Sequence, residues 1–205
     1  MVAKQTAYAR LTDYYKGFLQ QRSADFTALD NEYLQIEQVL AWLTSQIDRQ
    51  HSLNLLDLME RLSPYFDGRS LNNIILRYFE PCLKAAQRIG QNSARIYLSA
   101  YRAHWSLGQW DAAYLQILQA VDESSRSNLG DYSTALQFLG SLQLNRGNYR
   151  EALNTFSEAK KIFREIGDAT GEAAVKAEEA AYYLNRADYR TAHALYSEIM
   201  DFELA

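Results

Sequence analysis

The stretch Asn145-Arg146-Gly147-Asn148-Tyr149-Arg150-Glu151-Ala152 decides the fold, because the chain carries its chemistry three times. Ser106-Leu107-Gly108-Gln109-Trp110-Asp111-Ala112-Ala113 stands 39 residues before it, and Asn185-Arg186-Ala187-Asp188-Tyr189-Arg190-Thr191-Ala192 stands 40 after it. Each copy has a small residue, a polar residue, a large aromatic and, three positions after the aromatic, an alanine. Four further on comes a bulky side chain (Ile117, Phe156, Tyr196), and three beyond that Ala120, Ala159 and, in the last copy, Ile199. The physical reading is a pair of helices. The small residue closes helix A in a tight turn. The aromatic starts helix B and fills the space between the two, the alanine lets them approach, and the bulky residue plugs the groove to the next pair. A single pair leaves an apolar face bare, so the pairs must stack.

The rest of the chain carries the same period. Apolar residues recur at spacings of three and four almost throughout, which is the helical pattern. The chain has 205 residues, 48% hydrophobic and 22% charged, with only 2 prolines and 9 glycines, too few for a turn-rich β fold. Arg88-Ile89-Gly90, Ser127-Asn128-Leu129-Gly130 and Glu165-Ile166-Gly167 each end an apolar run with glycine and are followed by capping types: Asn92 or Ser93, Asp131, and Asp168 or Thr170. The expectation is about ten helices, near 5–20, 25–48, 52–65, 71–89, 93–107, 110–126, 131–146, 149–166, 170–186 and 189–204. Short connections make neighbouring helices antiparallel.

The repeats resemble the tetratricopeptide repeat (TPR) family, in its longer variant with a Gly-Asp connection such as Gly167-Asp168. That resemblance implies an all-α, right-handed superhelical solenoid of antiparallel helix pairs. It places three repeats at about 93–130, 131–169 and 170–205, continuous with an N-terminal region, 1–92, of degenerate repeats. The match has departures. The small position of helix A is Gly140 and Ala180 in two repeats but Tyr101 in the first. Where the middle repeat has Leu136 and Leu139, the last has Lys176 and Glu179, read here as an ion pair on a helix surface.

In the N-terminal region, Leu76-Arg77-Tyr78-Phe79-Glu80-Pro81-Cys82-Leu83 reads as helix B of a degenerate repeat, with Phe79 and Cys82 in the bulky and small positions. With Tyr14-Tyr15, Phe18-Leu19, Leu29 to Glu37 and Val39 to Leu43, residues 10–92 resemble the helical segment that follows the nucleotide-binding module of STAND-type signalling ATPases. That resemblance implies a sensor fragment or a stand-alone relative. No G-x-x-x-x-G-K-[ST] is present to cradle phosphates.

Chemistry-bearing residues are sparse, and neither an enzyme nor a cofactor or metal site is expected. His51, His104 and His193 have no histidine or cysteine three or four positions away, so zinc spacing is absent. His104 reads as a satisfied core histidine and Cys82 as a buried packing residue. Glu172, Glu178, Glu179 and Asp188 read as a solvated helix face, and the tyrosines Tyr149, Tyr189 and Tyr196 as repeat packing. One cysteine and the absence of an apolar leader point to a cytoplasmic setting, no run is long enough for a membrane span, and a net charge of −4 makes nucleic acid an unfavoured partner.

In a right-handed solenoid, helix A lines the concave face. Counting back from each turn selects Arg95, Leu98, Arg102 and Trp105; then Thr134, Gln137, Ser141 and Asn145; then Ala174, Ala177, Ala181 and Asn185. The candidate binding residues for a protein or peptide partner are therefore Arg95, Leu98, Arg102, Trp105, Gln137, Ser141, Asn145 and Asn185. Arg95 and Arg102 make the first groove basic. Asn145 and Asn185 either hold an extended peptide backbone or cap helix A. The carboxylate clamp of some TPR domains is absent as a set: its positions hold Leu98, Arg102, Gln137, Phe138 and Ala177. The last helix carries Leu195, Tyr196, Ile199, Met200, Phe202 and Leu204, an apolar excess that suggests a homodimer through 189–204.

Overall fold

The glycine and alanine turns do what their positions require. Gly108, Gly147 and Ala187 sit at φ 69°, 80° and 61°, the left-handed region that closes a helix and turns the chain back. Gly90 and Gly167 do the same at φ 71° and 73°. A computed structural model describes residues 2–125 and 128–203, with the side chains of Val2 and 201–203 left aside. Among the described residues it has ten α-helices and no strand: α1 (Val2–Arg22), α2 (Phe26–Thr44), α3 (Arg49–Gly68), α4 (Asn72–Ile89), α5 (Ala94–Ser106), α6 (Trp110–Ser124), α7 (Leu129–Asn145), α8 (Tyr149–Glu165), α9 (Ala169–Asn185) and α10 (Tyr189–Glu203).

One glycine reads differently from its sequence context. Gly130 lies in the first turn of α7 and does not end a helix. Asn128 is the N-cap, its side-chain oxygen accepting from the backbone N–H groups of Gly130 and Asp131. Asn and Asp satisfy the orphan donors of a helix start better than glycine ends this one. Asp168 caps α9 through Gly171 N–H at 2.8 Å, as its position suggests.

The chain forms two compact units, 1–113 and 114–205. In the first, α1 to α4 enclose Tyr15, Leu19, Leu29, Leu40, Leu62, Phe66, Tyr78 and Cys82, all buried. Burial pushes the Cys82 thiol up to about 12, so it packs and does not react. Phe79 is partly buried and meets the Tyr97 ring edge-on at 5.8 Å. His104 is half-buried, its ring nitrogen 2.6 Å from Gln109 Oε1.

In the second unit, α7 and α8 form one pair and α9 and α10 the next, with α9 packed on both α7 and α8. Ala152, Phe156 and Ala159 of α8 have no exposed surface, and Ala180 of α9 none either. The close approach is visible at Gly140: a Cβ there would fall 2.5 Å from the Phe156 ring. Gly171 of α9 has the same relation to Phe163, at 2.3 Å. Fully burying a side chain of this size contributes about 2–3 kcal/mol.

Three expectations about packing are corrected. The aromatics that start helix B do not fill the space between helices: Trp110, Tyr149 and Tyr189 are 51%, 44% and 65% exposed. Trp110 meets Trp105 edge-on at 4.8 Å across the turn between α5 and α6, and Tyr149 meets Tyr182 of α9 at 5.3 Å. Tyr196 is also exposed. A ring with a polar tip tolerates a half-wet site that phenylalanine does not. The Lys176–Glu179 pair on a helix surface is replaced by two separate arrangements. Glu179 is buried and accepts from Lys160 Nζ of α8 at 2.5 Å, while Lys176 lies 2.9 Å from Glu172 and 3.0 Å from Glu198 of α10. Where the middle repeat seats leucines, the last seats ion pairs.

Candidate functional site

The sequence-derived residues fall into two sets, one in each unit. In the first unit the groove is not basic. Arg95 is paired with Glu60 of α3, and Arg102 lies 3.5 Å from Asp67 and 3.2 Å from Ser63 Oγ on the same helix. Each guanidinium is answered by a carboxylate one helix away. Leu98 is only 6% exposed and belongs to the interior. Trp105 is partly exposed, set between Tyr101 and Trp110.

In the second unit Gln137, Ser141, Asn145 and Asn185 come together. The last three border a groove of about 480 Å³ between α7 and α9, lined also by Leu144, Tyr149, Glu178, Ala181, Tyr182 and Arg186, and Gln137 reaches it through its hydrogen bond to Glu178. The α9 stripe in this groove is Glu178, Ala181, Tyr182 and Asn185, spaced at three and four as one helix face demands. Ala181 and Asn185 match the expected face, whereas Glu178 takes the place expected for Ala177. Asn145 donates to the Ser141 carbonyl at 2.8 Å, which anchors its amide at the C-terminal turn of α7 and leaves its carbonyl oxygen for a ligand.

Glu178 is the residue that reading by periodicity missed. It is no solvated carboxylate. Gln137 Nε2 donates to it at 2.9 Å and Ser141 Oγ lies within hydrogen-bond reach. Burial raises its carboxyl above the usual range, more than these two hydrogen bonds lower it. Ser141 Oγ is also 3.0 Å from the Gln137 carbonyl, and one hydroxyl hydrogen cannot serve both acceptors.

Arg186, just past α9, lies over the rings of Tyr149 and Tyr182, with its guanidinium 5.6 and 5.8 Å from their centroids. The preceding turn repeats the theme in Arg146 over Tyr114 at 4.2 Å. The recurring Asn-Arg of the two turns carried this signal: an arginine one residue past helix A, close to an aromatic at the start of a helix B.

The arrangement of helix pairs that forms this groove is shared with known structures. Two solved structures align over nearly the whole chain. BtubC of P. vanneervenii shares 14% identity at a TM-score of 0.63, covering 89% of this chain and 72% of its own. A kinesin light chain candidate of Podosopora anserina, built of nearly identical TPR-like repeats, shares 15% at a TM-score of 0.60, covering 99% of this chain and 96% of its own. The fold is TPR-like. At such identity the likeness concerns the fold alone. No family model matches the chain, and no curated protein matches it. The all-α helix-pair class read from the repeats is thus the observed one. No described helix is long and apolar enough to cross a membrane.

Proposed function

We propose that the protein is a non-catalytic interaction module of a cytoplasmic signalling or regulatory system, and that the α7–α9 groove holds an extended segment of a partner protein. The observation that carries this is the groove itself: two asparagines of the same register, Asn145 and Asn185, line it together with Leu144, Ala181, Tyr149 and Tyr182. Amides present a donor and an acceptor to a peptide backbone, and aromatic rings supply contact area at low entropic cost. The test is to pan a randomised twelve-residue phage-displayed library against the full chain and measure the enriched peptides by fluorescence anisotropy. Asn145→Ala/Asn185→Ala is expected to weaken them at least tenfold. Peptides indifferent to that variant overturn the assignment of the groove.

The partner set extends to a second copy. Tyr189, Tyr196 and Met200 are exposed at spacings of seven and four on α10, a stripe of the kind that packs helix on helix. The side chain of Phe202, and Leu204, lie outside the described residues. Light scattering over a concentration series is expected to show a dimer that Met200→Glu dissociates, and a strict monomer at high concentration refutes it. The alternative function, a ligand-sensing repeat domain of a STAND-type ATPase or transcriptional regulator, is supported by the resemblance of residues 10–92. A rise in melting temperature with a nucleotide or metabolite, retained in Asn145→Ala/Asn185→Ala, would favour it.

A further inference from the structure

The α7–α9 groove holds two charged side chains that the protein itself does not neutralise. Among the described residues Glu178 has hydroxyl and amide partners but no cation within ion-pair distance, and Arg186 has aromatic partners but no carboxylate. Other buried or half-buried charges in this unit are paired: Lys160 with Glu179, Arg164 and Lys176 with Glu172, Lys176 with Glu198. Glu178 and Arg186 line the same groove and have opposite sign. Their backbone positions are eight residues apart, Arg186 being the C-cap of α9. Eight positions along a helix correspond to about 12 Å at 1.5 Å per residue. An extended peptide covers that distance in about three to four residues, at 3.3–3.6 Å each.

Each charge is presented in a form that a ligand can use. Glu178 lines the groove with Gln137 and Ser141 already donating to it, so a cation arriving there meets a carboxylate whose position they have set. The Arg186 guanidinium lies over Tyr149 and Tyr182, 5.6 and 5.8 Å from their ring centroids. A guanidinium has five N–H donors in a planar fork that matches a carboxylate. Between the two lie Ala181 and the amide of Asn185, which suit a backbone and one small or apolar side chain.

Resting on the reading of this groove as a peptide site, we infer that its specificity is for a segment carrying a lysine or arginine directed at Glu178 and, three or four residues away, an aspartate or glutamate directed at Arg186. The groove reads a charge pair of defined spacing and sign order, not net charge.

The peptides enriched in the display selection provide the probe. They are expected to share a basic and an acidic residue three or four positions apart. Replacing the basic residue with norleucine is expected to raise Kd about tenfold, the range of a hydrogen-bonded charge. Glu178→Gln, which keeps the shape of the side chain, is expected to raise the parent peptide's Kd by a similar factor and to leave the norleucine peptide unchanged. Replacing the acidic residue with its amide pairs in the same way with Arg186→Gln. Norleucine needs no change in the protein, so its effect stands even where a variant folds poorly. Enriched peptides that depend on Asn145 and Asn185 but show no spaced pair, or that ignore Glu178→Gln, overturn the charge code while leaving the groove assignment intact. A selection yielding no peptide sensitive to the asparagines overturns both.

Discussion

Gly140→Ala tests the packing from which the second unit is built. A methyl group at this position would lie 2.5 and 2.6 Å from two carbons of the Phe156 ring and 3.1 Å from a third. Carbon atoms rest at about 3.5–4.0 Å, so the ring must retreat by about 1 Å. Phe156 has no exposed surface and is packed among Leu136, Ala159, Ile162 and Phe163, so nothing yields cheaply. Overpacking of this kind costs about 1–3 kcal/mol. Alanine recovers about 1 kcal/mol over glycine in a helix interior. The expected balance is a loss of about 1 kcal/mol, or roughly 2–4 °C in melting temperature for a chain of this size. The sign then depends on the ring. In a Phe156→Leu background the clash is relieved, and Gly140→Ala should stabilise by up to about 1 kcal/mol. Urea unfolding of the four proteins of this cycle measures both numbers. If Gly140→Ala stabilises the parent as much as it stabilises Phe156→Leu, α7 and α8 do not approach as described and the register of the repeat is wrong.

Glu179→Ala strands Lys160 in a nearly closed site, and unfolding should show a loss of roughly 3 kcal/mol, whereas Lys160→Met/Glu179→Leu should sit near the parent. Glu178 titrates above the ordinary carboxylate range in the folded protein, so the native state binds its proton more tightly than the unfolded chain. Its neutral form costs nothing below the unfolded value, and stability falls as pH rises from there through the folded value. Glu178→Gln should therefore be more stable than the parent at neutral pH and converge with it in acid, as thermal unfolding across pH 3–8 reads out. Ala187 carries a Cβ at φ 61°, a conformation that costs an L-residue about 1–2 kcal/mol, so Ala187→Gly should raise the melting temperature despite the added freedom of the unfolded chain. Cys82 should resist iodoacetamide at pH 8 in the folded protein and react once urea opens it, and rapid labelling of the native chain would contradict its burial.

Ten helices and their turns were legible without coordinates, because these features are local. The period of three and four, the positive-φ residues at 108, 147 and 187 and the Asp168 cap each act within a few residues of themselves. The threefold recurrence of small residue, aromatic and alanine was legible for the same reason, and Ala152 and Phe156 are buried as that pattern requires. Ser141, Asn145 and Asn185 share one groove because helix geometry assigns a face by counting.

What the sequence by itself determined was therefore the class of the fold, its repeat and one wall of the groove. What only the tertiary structure decided was which charges meet. Arg95 and Arg102 seemed to make a basic groove until α3 brought Glu60 and Asp67 to them across about 35 residues of chain. Glu178 and Glu179 are neighbours in sequence with the same side chain. One faces α7 and finds a serine and a glutamine, and the other faces α8 and finds a lysine. A helix turns about 100° per residue, so adjacent positions look toward different neighbours. The identity of those neighbours is a long-range fact. The strength of an ion and its affinity for a proton follow from burial and partners, which no local pattern encodes.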